Sequence, residues 1–137
     1  MKKFLIFILA IFFTTTTSGQ EWIDDNNFSN IIAGHSGFDD SDIIIVEFWA
    51  KFNDSNSFKE WKELNDLDGV AYYRCNIEDA PEAKEQYRVR MVPTILIFSG
   101  GDAYLKFKAK AGLDLKCPVD LPKMFKAIEV VKRESQY

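Results

Sequence analysis

Val46-Glu47-Phe48-Trp49-Ala50-Lys51-Phe52-Asn53-Asp54-Ser55-Asn56 is the stretch on which the reading of this chain turns. It closes a run from Asp42 to Trp49 that is apolar after its first residue and broken only by Glu47. The length of the run and its Ile and Val content predict a strand buried on both faces, as in a parallel sheet. A carboxylate inside such a run must be paired or neutral, because an isolated buried charge is costly. Asn53, Asp54 and Ser55 then supply helix-capping side chains, and Phe58, Trp61 and Leu64 follow at helical spacing. The stretch therefore predicts a buried strand that turns into a helix over Asn53 to Asn65.

Working outward, Trp22 to Ala33 reads as a short strand or lead-in and then a helix with Phe28, Ile31 and Ile32 on one face. Val70 to Ile77 is a second strand. Asp79-Ala80-Pro81 starts another helix, with proline in the first turn, where its missing donor costs nothing. Ala83 and Tyr87 face inward on that helix. Thr94 to Phe98 is a third strand, and Ser99-Gly100-Gly101-Asp102 is a hairpin turn. Beyond it Leu105, Phe107 and Ala109 alternate with Lys106, Lys108 and Lys110, which read as protection of an outer strand. Asp120 caps a last helix whose stripe is Leu121, Met124, Phe125, Ile128 and Val131. This order predicts an α/β fold, a mixed central sheet with helices on both faces.

The chain has 137 residues, enough for one domain. Lys2 and Lys3 precede ten apolar residues, Phe4 to Phe13, and a small, hydroxylic stretch to Gly19, the layout of a secretory signal peptide. Residues 1–19 are read as that signal and 20–137 as the domain. Loss of the two lysines would take the net charge from −4 to −6. An acidic domain without a basic stripe argues against nucleic-acid binding, which phosphate neutralisation drives. No membrane contact is expected after signal cleavage. With one histidine and two distant cysteines, no metal site and no cofactor are expected. His35 in Gly34-His35-Ser36-Gly37 reads as an exposed loop residue, and Asp39, Asp40 and Asp42 as a solvated cluster without calcium-loop spacing. Cys75 and Cys117 are the only thiols, and spacing alone leaves their pairing open.

The quoted stretch resembles the thioredoxin signature V-D/E-F-W/Y-A-x-W-C-G-P-C. Arg90-Met91-Val92-Pro93-Thr94-Ile95-Leu96-Ile97-Phe98 resembles that family's cis-proline loop and following strand. Tyr73-Arg74-Cys75-Asn76-Ile77-Glu78 resembles its central strand, and Gly100-Gly101 its hairpin. The similarity runs from about Phe28 to Val131 and implies the thioredoxin fold. It also places Asn53 on the attacking cysteine and Asn56 on the resolving one. Disulfide exchange needs a thiolate and a second sulfur, and an amide supplies neither. The same asparagines suit helix capping, or the holding of an anion or a peptide carbonyl at the helix start.

The resemblance implies a peptide groove formed by Phe52, Asn53, Asn56, Val92, Pro93 and Gly112, with a cis bond before Pro93. It places Glu47 at a buried carboxyl and Arg74 at a neighbouring base, which read here as a structural pair. The expected function is that of an exported protein, periplasmic or secreted. It lacks the redox centre and binds an extended peptide segment or a partner protein through the groove. One competing expectation is an atypical thiol-disulfide oxidoreductase using Cys117, Cys75 or both. Another is a structural module whose groove is vestigial.

Overall fold

The computed structural model describes residues 21–33, 43–109 and 115–135. The elements are β1 (Trp22–Ile23), α1 (Phe28–Ile32), β2 (Ile43–Trp49), a 3-10 helix (Lys51–Asn56), α2 (Trp61–Asn65), β3 (Val70–Asn76), α3 (Pro81–Gln86), β4 (Thr94–Ser99), β5 (Asp102–Lys108) and α4 (Leu121–Glu134). Five strands form one sheet in the order β1-β3-β2-β4-β5. β2 pairs parallel with β3 and antiparallel with β4. It therefore sits in the middle, and its six residues from Ile43 to Phe48 are all buried. The readings at His35, at Asp39, Asp40 and Asp42, at Gly112 and over residues 1–19 lie outside the described residues.

Side chains alternate across the pleat, so each strand feeds two cores. Ile44, Val46 and Phe48 of β2 join Ala71, Tyr73 and Cys75 of β3 under α1 and α3. Ile43 and Ile45 join Val70, Tyr72, Ile95 and Ile97 beneath α2 and α4. Glu47 follows Ile43 and Ile45 on the second face. The hairpin closes on Gly100 and Gly101, whose φ of 60° and 89° glycine adopts without a Cβ clash.

Two local expectations change, and one helix finds a cap from elsewhere in the chain. The helix expected over Asn53 to Asn65 is split. Asn53 has φ −123° and ψ 29°, and Ser57 is extended, so the 3-10 helix ends before α2 begins. The break turns Phe58 into the core, 2% exposed, with its N–H toward Glu47. On α4, Phe125 is exposed and Ala127 takes its expected place in the buried stripe of Met124, Ala127, Ile128 and Val131. At α3 the cap comes from far along the chain. Asp25 accepts from the N–H groups of Glu82 and Ala83 at 2.9 and 3.0 Å, while Ala80 at the helix start has no side chain to offer. Asp120 caps α4 as its sequence predicts, accepting from Lys123 N–H at 2.9 Å.

Candidate functional site

The candidate site lies where β2 runs into the 3-10 helix. Trp49 donates its indole N–H to Asp54 Oδ1 at 2.8 Å and so ties the strand end to the turn. The amide of Asn53 donates to the carbonyls of Val92 and Leu115, at 2.8 and 3.0 Å. Its oxygen accepts from Asn56 Nδ2 at 2.7 Å. No side chain caps the 3-10 helix, so Asn53 and Asn56 are a cross-link between three segments and the capping reading is replaced. A carboxamide has two N–H donors and finds two carbonyls here. A thiol at the same position has one weak donor.

The Val92–Pro93 peptide bond is cis. Thr94 Oγ1 donates to the Met91 carbonyl and Ala109 N–H to the Pro93 carbonyl, which fixes the loop against β5. Val92 and Pro93 are buried, and Asn53 and Asn56 are half-buried. Phe52 is 74% exposed. Among the described groove residues it offers the largest apolar surface. Trp22, also exposed, packs edge-to-face on Trp49 with ring centroids 5.1 Å apart.

Beneath the turn, Glu47 and Arg74 stand opposite each other in the β2–β3 register. Glu47 is fully buried. Its Oε1 accepts from the Tyr72 hydroxyl at 2.6 Å and lies 3.5 Å from Arg74 Nε, and its Oε2 accepts from Phe58 N–H at 3.4 Å. Arg74 Nε makes an ion-pair contact without a hydrogen bond. Nη2 of the same guanidinium donates to Ser57 Oγ at 3.1 Å, and the group sits 5.8 Å from the Trp22 ring centroid. Burial raises the Glu47 pKa, while the Tyr72 hydroxyl, the Arg74 charge and Phe58 N–H oppose the rise. Tyr72 is held well above its ordinary value by burial and then by the Glu47 charge. Tyr72 is the member that sequence reasoning misses. Its signal is its place two residues before Arg74 on one strand, hence on the same face.

The two thiols lie in different cores. Cys75 belongs to the face under α1 and α3, and Cys117 packs against the core under α2 and α4, so the sheet stands between them. Both are free. Burial pushes the Cys75 thiol up to about 12, with Asp25, Asp24 and Asp79 adding to it. Burial also pushes Cys117 up to about 11, and its Sγ lies 3.4 Å from the Val119 carbonyl. A nucleophilic cysteine needs the opposite setting, exposed and electropositive. Among the described residues no three His, Cys, Asp or Glu side chains converge as metal ligands.

No protein-family model matches the chain. A chloroplastic thioredoxin M2 from Arabidopsis thaliana is 27% identical over 92 residues, which span 64% of this chain and 46% of that protein. The chain thus matches about half the length of that relative. Among solved structures, a thioredoxin from Malassezia sympodialis superposes with a TM-score of 0.58 at 16% identity, covering 80% of this chain and 89% of its own. A mutant thioredoxin of Halobacterium salinarum gives 0.61 at 16% identity, covering 81% and 88%. A thioredoxin of Plasmodium falciparum gives 0.60 at 14% identity, covering 81% and 97%. The sheet order and the two helical layers described above are therefore the thioredoxin fold.

Proposed function

We propose that this thioredoxin-like domain is an exported, non-catalytic binding module that holds a partner protein or an extended peptide at the Phe52 end of the sheet. One observation carries the reading. Phe52 is 74% exposed on a turn that is itself cross-linked through Asn53. A large aromatic ring held outward on a fixed turn is the usual kind of interface anchor. Recognition would rest mainly on side chains, because the Val92 carbonyl already accepts from Asn53. Export is part of the proposal and rests on Lys2, Lys3 and the apolar stretch Phe4 to Phe13.

The proposal excludes dithiol exchange at the turn, since Asn53 and Asn56 carry no sulfur. It also sets aside a Cys75 or Cys117 enzyme, because Cys75 is buried, Cys117 is half-buried, burial pushes both thiols up, and the two lie in opposite cores. The buried state of Val92 and Pro93 favours a second reading, a structural module with an unused groove.

Screening the purified protein on a peptide array separates these two. Binding that Phe52→Ala weakens by more than about tenfold, with the melting curve unchanged, supports the binding module. Binding and stability both unmoved by the substitution support the structural module. Insulin reduction at the rate of an active thioredoxin would overturn the non-catalytic reading altogether.

A further inference from the structure

On a chain with a net charge of −4, one region gathers the opposite sign. Lys106 of β5 reaches across to the end of α3 and donates its Nζ to the carbonyls of Tyr87 and Arg88, at 2.8 and 3.2 Å. A cation there satisfies the unpaired carbonyls of a helix C-terminus. Lys108 lies two residues on along β5, on the same face as Lys106, and its charge, with those of Arg88 and Arg90, adds to burial in lowering the Lys106 pKa. Lys84, Arg88 and Arg90 line one hollow together with Glu78 and Glu85. Arg88, Arg90 and Lys108 are exposed, and among the described residues none of them has a carboxylate within ion-pair distance.

Arg88 also sits in a conformation that suits another residue. Its φ is +53°, and Val89 N–H bonds back to the Lys84 carbonyl at 2.9 Å, closing the helix end in the manner that favours glycine at this position. Protection of an outer strand accounts for Lys106 and Lys108. It does not account for Arg88 and Arg90, which lie off the strand, nor for an arginine in a left-handed conformation.

We propose that Arg88, Arg90 and Lys108, set around the tethered Lys106, form a docking surface for a short acidic polypeptide segment. Charge complementarity selects the occupant. Guanidinium groups take carboxylates in paired hydrogen bonds, and two arginines with a lysine suit a few acidic side chains. A long polyanion or an anionic membrane must be neutralised along its length. Beyond this patch it would meet the acid excess of the remaining chain. Among the described residues β5 is paired on one side only, so its outer edge offers backbone groups to an added segment next to the lysines. None of these cations belongs to the Phe52 turn, and the test does not depend on Phe52.

The test is fluorescence anisotropy of a labelled peptide of about eight glutamates added to the purified protein, at salt concentrations of about 20 and 200 mM. Three probes accompany it: a glutamine peptide of equal length, heparin, and phosphatidylglycerol vesicles. The glutamate peptide should bind, the glutamine peptide should not, and affinity should fall by at least about tenfold at the higher salt. The double variant Arg88→Gly and Arg90→Gln should weaken binding by at least about fivefold. Arg88→Gly alone should hold or raise the melting temperature, because glycine suits that backbone, so loss of binding is distinguishable from unfolding. Absence of binding by the native protein, or equal affinity in the double variant, would overturn the proposal. So would tighter binding of heparin or of the vesicles than of the peptide.

Discussion

Beneath the turn a carboxylate, a phenol and a guanidinium share a closed pocket; on the turn, two amides bridge to distant carbonyls. The lower pocket is built from neighbouring strands. Glu47 and Arg74 are register partners, and Tyr72 lies two residues from Arg74. The upper network joins segments that no regular element holds together, at Ala50–Ser57, Val92 and Leu115. In both regions the polar side chains named here hydrogen-bond within the protein. The lower one keeps a buried charge on the scaffold, and the upper one puts a structural clamp where the resemblance places sulfur chemistry. The large apolar side chain left facing outward on the turn is Phe52.

The contrast breaks most readily at Glu47. Glu47→Ala leaves Arg74 charged and half-buried and the Tyr72 hydroxyl without its acceptor. Removing one member of such a buried pair costs about 3–5 kcal/mol, measured as a shift in the urea unfolding midpoint at constant slope. A cost under about 1 kcal/mol would mean that the three side chains do not act as a unit. Asn53→Ala should cost less, about 1–3 kcal/mol, since it strips donors from two carbonyls that water can partly reach. Equal costs at the two sites would erase the distinction between pocket and clamp.

A pH series sharpens the same comparison. Burial raises the Glu47 pKa above its ordinary 4.5, so between the unfolded and folded values the folded state holds more protons. The Glu47 contribution is therefore fully present below the unfolded value and is lost as pH rises through the folded one. The slope reaches at most about 1.4 kcal/mol per pH unit. Glu47→Gln should remove this slope from the stability profile, while Asn53→Ala should leave it in place. The smallest effect belongs to the exposed ring. Phe52→Ala should change unfolding stability by no more than about 0.5 kcal/mol. A larger loss would show that the ring is part of the packing of the turn.

Much of the fold is legible because burial follows period. The apolar run ending in Trp49, the strand beginning at Val70 and the hairpin glycines each announce their element. Helix boundaries are less so. The break after Asn56 depends on Phe58 entering the core and on Asn53 leaving helical geometry, and neither is a local preference. Helical spacing puts Phe125 in the buried stripe, yet the face of α4 that meets the sheet is centred on Ala127 and Ile128.

By itself the sequence determined the continuous apolar run that carries Glu47 into a buried strand, the Asp120 cap and the chemistry missing from Asn53 and Asn56. Only the tertiary structure decided what those side chains do. Asn53 meets carbonyls 39 and 62 residues away, and Asp25 caps a helix through N–H groups 57 and 58 residues further on. Cys75 and Cys117 are kept apart by a sheet that neither codes for locally. The reason is physical. Backbone pattern is set by neighbours three or four residues away, whereas a polar side chain bonds to whatever the strand register brings within about 3 Å of it.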